Sequence, residues 1–178
     1  MTGVQTCALP IWRRHASRSR HSRRGAQCES DRGADDRGFD EVKRLAVYCG
    51  SATPVDPVYI ETAQKVGREL AARGIGLVYG GGKLGLMGAV ADAVLEAGGE
   101  VIGVIPEALV KAEVAHRGCT ELRVVQTMHQ RKALFTELSD GFITIPGGVG
   151  TMDELWEAVS WSQLGYHDKP VGLDRKST

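Results

Sequence analysis

The chain has 178 residues, a formal net charge of +0, and 42% hydrophobic and 25% charged residues, which suits one α/β domain and leaves little room for a second. No apolar run reaches the roughly 18 residues that a membrane span needs, and overall neutrality argues against a nucleic-acid-binding protein. Neutrality conceals an asymmetry, however: residues 1–44 carry ten Lys/Arg against six Asp/Glu, whereas residues 45–173 carry ten against fifteen.

The basic segment is expected to lie outside the domain. Residues 12–40 are rich in Arg, Ser, Gly and Asp, nearly empty of aliphatics and without helical or strand periodicity, so residues 1–44 read as a disordered or non-native leader. The two extreme ends share a further property. Asp174-Arg175-Lys176-Ser177-Thr178 can be encoded by GAT CGG AAG AGC ACA, and the reverse complement of that string encodes Cys-Ala-Leu-Pro-Ile, the residues Cys7 to Ile11. The string resembles a sequencing-library adapter. The expectation is that residues 1–11 and 174–178 are adapter-derived, that the foldable unit is residues 45–173, and that this unit is C-terminally truncated after Leu173.

Within that unit strands and helices alternate. Residues 45–49 form a short apolar run ending at Gly50-Ser51. Pro57 opens an amphipathic helix over residues 57–72, with Ile60, Ala63, Val66 and Leu70 three or four apart. A second strand over 75–79 runs into Gly80-Gly81-Gly82, and a helix over 86–97 is closed by Gly98-Gly99. Strands are predicted over 101–105 and 122–125, a helix over 128–138, a strand over 142–145, a helix over 153–164 and the start of a sixth strand over 170–173. This alternation predicts an α/β, Rossmann-like doubly wound parallel sheet in a single domain. Ligands of such sheets sit at the carboxyl ends of the strands. The four cysteines (Cys7, Cys28, Cys49, Cys119) show no metal-ligand spacing and read as reduced thiols of a cytoplasmic protein; Cys49 reads as a core thiol. His116 and His167 are isolated and predict no metal site. Trp156 and Trp161 read as core or interface residues.

Three strand-to-helix turns carry candidate chemistry. In Tyr79 to Gly88, Gly80, Gly82 and Gly85 satisfy G-x-G-x-x-G, which raises a dinucleotide site, yet the turn follows the second strand rather than the first; the alternative is tight helix–sheet packing. In Pro146 to Glu154, glycines expose backbone N–H groups to an anion, and Thr151 can cap the helix and donate to phosphate. If Thr151 is the N-cap, Glu154 falls at N3 and could serve only a capping box; otherwise it faces the ligand's sugar. In Met128-His129-Gln130-Arg131-Lys132, two adjacent cations near a helix start oppose the helix dipole, and a bound anion would compensate them. Ser51 could line the same crevice.

PGGVGTMDE resembles the PGGxGTxxE signature of the LONELY GUY (LOG) family of cytokinin-activating phosphoribohydrolases. YGGGKLGLMG, MHQRK and WSQLG followed by KPVGL resemble further blocks of that family in the same order. The resemblance covers residues 45–173. It implies Arg131 and Glu154 as the catalytic pair and nucleotide contacts at Glu113, Arg131, Lys132, Gly148, Val149, Gly150, Thr151, Met152, Asp153, Glu154 and Ser160, the last standing where many plant relatives have threonine. Glu113 lies in a variable stretch. The implied reaction is hydrolysis of the N-glycosidic bond of an N6-modified AMP to free base and ribose 5-phosphate, without cofactor or metal. The implied partners are a nucleoside 5'-monophosphate substrate and a second copy in a homodimer. The competing readings are an AMP nucleosidase, a non-catalytic nucleotide-binding module and, more distantly, a dehydrogenase. No lysine stands in a context suited to pyridoxal phosphate, so the lysine decarboxylase label sometimes given to such sequences is rejected.

Overall fold

The computed structural model describes residues 42–53, 55–111 and 114–174; the flanking segments discussed above, apart from Val42, Lys43, Arg44 and Asp174, lie outside the described residues. Six strands, β1 (Arg44–Tyr48), β2 (Gly76–Tyr79), β3 (Val101–Pro106), β4 (Glu121–Val125), β5 (Gly141–Thr144) and β6 (Val171–Leu173), form one sheet in the order β4-β3-β2-β1-β5-β6. Every pairing is parallel, so each strand is joined to the next by a crossover connection.

The helices are α1 (Pro57–Ala72), α2 (Gly85–Glu96), α3 (Met128–Leu138) and α4 (Val149–Leu164). Asp56 caps α1 by accepting from Val58 N at 2.9 Å, with Pro57 at the first helical position. Thr127 and Gln130 close a reciprocal capping box on α3. The strand period of two sorts residues between the faces. Val47, Leu77, Tyr79 and Val101 point toward Ala63, Leu70, Leu86 and Val90 of α1 and α2. Ala46, Tyr48, Val78, Ile102 and Phe142 point toward Phe135 of α3 and Ala158 of α4. The largest fully buried side chains are Tyr79, Phe135 and Phe142, each contributing roughly 1.5–3 kcal/mol by burial.

The chain order reverses at β1, which lies between β2 and β5. This is the switch point of the sheet, the place at the carboxyl ends of the strands where doubly wound sheets bind their ligands. Most predicted elements agree with the observed ones within one residue. One does not: α4 begins at Val149 rather than at Asp153, with Gly148 as N-cap.

Candidate active site

At the switch point the turn after β1 and the turn after β5 are joined directly, Gly50 N donating to Pro146 O at 3.1 Å. Beyond Pro146 the chain enters α4 through Gly148, and Gly147 to Gly150 are exposed. The first N–H groups of a helix have no partners within it and carry its positive dipole end, so the start of α4 offers an anion site at the mouth of the crevice. Thr151 is therefore the third helical residue and not the N-cap. Glu154 then lies in the second turn, which removes the capping-box role that the sequence left open for it.

Arg131 is buried, 3% exposed. The capped start of α3 directs its side chain into the sheet, where Nε donates to Val104 O at 3.0 Å and Nη2 donates to Gly80 O at 3.0 Å. The guanidinium carbon stands 5.5 Å from the centre of the Phe135 ring, within cation–π range. Nη1 faces Glu154 Oε1 at 3.6 Å, and both side chains are nearly excluded from solvent. A charged pair is thus held in a low-dielectric setting, beside the open end of α4, by partners that fix the cation. The adjacent cations that oppose the α3 dipole are relieved by this arrangement: one turns inward onto backbone carbonyls, the other onto carboxylates.

Lys132 is that other cation. Its Nζ meets Asp153 Oδ2 at 2.7 Å and Glu157 Oε2 at 2.8 Å. Burial alone would lower its ammonium pKa, but the hydrogen bonds and charges of Asp153 and Glu157 outweigh burial and hold it above the ordinary value. The acids beside the anion site, Asp153 and Glu154, are each countered by a cation of α3.

Cys49 is 2% exposed, and its thiol is pushed up first by burial and then by the charge of Glu154. It is a core thiol rather than a nucleophile. The glycine turn after β2 does not present a free helix end. Leu86 N and Met87 N both donate to Gly50 O, at 3.0 and 3.3 Å, so the start of α2 is capped by the chain itself and the dinucleotide reading is displaced by packing. His116, isolated in sequence, is buried with Nε2 at 2.8 Å from Asp92 Oδ1 and accepts at Nδ1 from Gly118 N. This contact spans 24 residues and leaves no local pattern. Among the described residues no group of His, Cys, Asp or Glu could hold a metal ion, and no helix is long and apolar enough to cross a membrane.

The structure therefore brings together Arg131, Lys132, Asp153 and Glu154 with Gly148, Val149, Gly150 and Thr151 at the start of α4. Met152 is on the same turn and exposed. Ser160 is not brought to them within one chain: it is exposed, roughly 9 Å further along α4 than Glu154 at 1.5 Å per residue. Glu113 lies outside the described residues. Trp156 is 62% exposed and so is not a core residue, while Trp161 packs edge-on against Tyr166 at 6.2 Å. An open groove of about 450 Å³ between β4 and α3, lined by Val124, Gln126, Gln130, Ala133 and Leu134 among others, shares no residue with the Arg131–Glu154 pair.

Residues 87–176 match the protein-family model described as "Possible lysine decarboxylase". The chain is 51% identical over 131 residues to "Cytokinin riboside 5'-monophosphate phosphoribohydrolase LOG" of Oryza sativa subsp. japonica, covering 74% of this chain and 54% of the relative. It is 50% identical over 133 residues to the LOG1 protein of the same description from Arabidopsis thaliana, covering 75% of this chain and 62% of the relative. The chain thus spans less than two thirds of either relative's length. Among solved structures, the molybdenum cofactor carrier protein of Chlamydomonas reinhardtii superposes with a TM-score of 0.60 at 22% identity, over 72% of this chain and 74% of that one; this likeness is one of fold. With the motifs in place on one switch-point sheet and half of the aligned residues identical to these relatives, the chain belongs to the LONELY GUY (LOG) family.

Proposed function

We propose that residues 45–173 form a phosphoribohydrolase unit that cleaves the N-glycosidic bond of an N6-modified adenosine 5'-monophosphate, releasing the free cytokinin-type base and ribose 5-phosphate. The observation that carries this reading is the buried Arg131–Glu154 pair beside the open N-terminus of α4. Rupture of the glycosidic bond develops oxocarbenium character on the ribose, which a nearby carboxylate stabilises. Glu154 is assigned to that face of the sugar. Arg131, fixed by Val104 O and Gly80 O, orients the nucleotide and stabilises charge as the base departs. The 5'-phosphate is held by the N–H groups of Val149, Gly150 and Thr151, with Lys132 adding positive charge as it exchanges carboxylate for phosphate.

The decarboxylase description finds no support in these residues. A Schiff-base lysine needs a neutral amine, whereas Lys132 is held charged by two carboxylates. A cytoplasmic location is part of the proposal, in keeping with the unpaired Cys49 and Cys119.

A homodimer is also part of it. Val149, Met152, Trp156 and Leu164 are exposed along α4, and Ser160, one turn beyond Trp156, shares their side of the helix. A second copy covering this stripe would bury it and would bring Ser160 toward the neighbouring crevice.

The test is chromatographic measurement of base release from AMP and from isopentenyladenosine monophosphate, with a protein extended to the full length of its relatives. Faster release from the modified nucleotide is expected. Equal or faster cleavage of AMP would replace the proposal with an AMP nucleosidase, and binding without cleavage would replace it with a nucleotide-binding module.

A further inference from the structure

The glycine turn after β2 matches a dinucleotide fingerprint, yet the helix it opens is capped by Gly50 O, which leaves the need for a glycine at position 80 without a reason. The contacts of Gly80 supply one. Its carbonyl accepts from Arg131 Nη2 at 3.0 Å, and a Cβ built on it would overlap that same nitrogen; the next atoms met are Cε and Sδ of Met87 at 3.1 Å. The guanidinium thus occupies the volume that any side chain at position 80 would fill. It is clamped there from three sides, by Gly80 O, by Val104 O and by the Phe135 ring. Two of these partners lie at the carboxyl ends of β2 and β3 and the third is on α3, so the seat is built by elements other than the α4 turn that carries Glu154. Gly80 has no positive φ among the glycines of this turn, in contrast to Gly81 and Gly85. Backbone conformation therefore does not demand glycine at position 80, and close approach of Arg131 does.

We propose that Gly80 is a positioning residue that seats Arg131 opposite Glu154, its missing side chain being the space the guanidinium needs and its carbonyl the acceptor that aims it. This rests on the reading of Arg131 and Glu154 as the reacting pair. Displacement of a catalytic group by about 1 Å costs about 100-fold in rate, and a methyl at position 80 forces a shift of at least that size.

The experiment is a double-mutant cycle of the parent, Gly80→Ala, Arg131→Ala and the two combined, read by base release and by melting temperature. Gly172→Ala serves as comparator, because a Cβ there meets only Phe142 O at 3.6 Å. The seat predicts that G80A lowers kcat/KM about 100-fold and lowers Tm, while in the R131A background the same substitution costs neither activity nor Tm, since the overlapping nitrogen is gone. Should G80A fail to accumulate as folded protein, the combined variant decides, and the seat requires it to melt with R131A. An equal Tm loss in both backgrounds would assign Gly80 to the packing of Met87 and α2 and overturn the proposal. Parent-like turnover in G80A alongside an inactive R131A would overturn it while leaving the reaction intact. If the parent itself releases no base, the reaction falls, and the Tm cycle still judges the seat.

Discussion

Replacing Glu154 by Gln and Arg131 by Ala should separate catalysis from stability. The 3.6 Å between Nη1 and Oε1 is longer than a hydrogen bond, so the attraction is mainly Coulombic, roughly 5 kcal/mol at an effective dielectric of about 20. Keeping a carboxylate out of water costs several kcal/mol, of similar size and opposite sign. Glu154→Gln preserves the shape, removes both contributions and leaves Arg131 on its two carbonyls. Its net effect should stay within about 1 kcal/mol, or about 4 °C in Tm. Arg131→Ala instead orphans Val104 O and Gly80 O at about 1–3 kcal/mol each and leaves Glu154 buried without this cation. The loss should exceed about 4 kcal/mol, or roughly 15 °C. Both variants should lose at least about 100-fold in base release, the scale set by removing one preorganised charge partner. Urea titration and thermal melts give the first comparison and chromatography the second. Glu154→Gln as unstable as Arg131→Ala, or either variant turning over within about tenfold of the parent, would refute the reasoning.

Other perturbations have equally definite outcomes. A Cβ at Gly147 would overlap Thr151 Oγ1 and stand 2.9 Å from Gly50 N, so Gly147→Ala should raise KM for the nucleotide and lower Tm by displacing the start of α4; unchanged kinetics would show that this turn has slack. Trp156→Glu puts a charge on the exposed stripe of α4 and should shift the protein toward monomer in sedimentation, with parent-like Tm at high dilution, whereas an unaltered oligomer would place the interface elsewhere. Burial, followed by the charge of Lys169, holds the His167 imidazole below its ordinary value of 6.5. The unfolded chain therefore binds the extra proton first, and stability present above pH 6.5 is lost as pH falls through the folded-state value. His167→Gln should flatten the melting profile over that window, and a profile that keeps its acid limb would assign the loss to other groups. Lys169 Nζ donates to Thr136 O and to Ser139 O, the latter at 2.7 Å, so Lys169→Met should destabilise α3 by about 1–3 kcal/mol in denaturant titrations.

The strands and helices were legible because buried runs and three-to-four spacing reflect local geometry. The start of α4 was not, because Gly148 and Gly150 read as loop on propensity, while the backbone runs helically through them: Gly148 is the N-cap, its carbonyl accepting from Met152 N at 3.1 Å, and Gly150 lies in the first turn. That difference matters for Glu154, whose capping role depended on where the helix began. Arg131 was singled out by its unfavourable place near a helix start, yet the carbonyls that hold it come from residues 27 and 51 positions earlier, and no local pattern carries such contacts. The strand order, with β1 between β2 and β5, was likewise beyond periodicity, which says which residues are strands and not which strands are neighbours. Trp156 was read as core or interface, and its 62% exposure removes the core half of that reading.

Gly50 links elements that are far apart in the chain, its N–H held by Pro146 O and its carbonyl shared by the amides of Leu86 and Met87. Turn amides ordinarily exchange with solvent through small local openings. Here release of Gly50 N parts the turn after β1 from the turn after β5, and release of Leu86 N or Met87 N parts the turn after β1 from the start of α2. In deuterium exchange these amides should behave like those of the central strands, giving the rim of the crevice the protection of its floor, and ligand-dependent motion should be confined to the exposed first turn of α4.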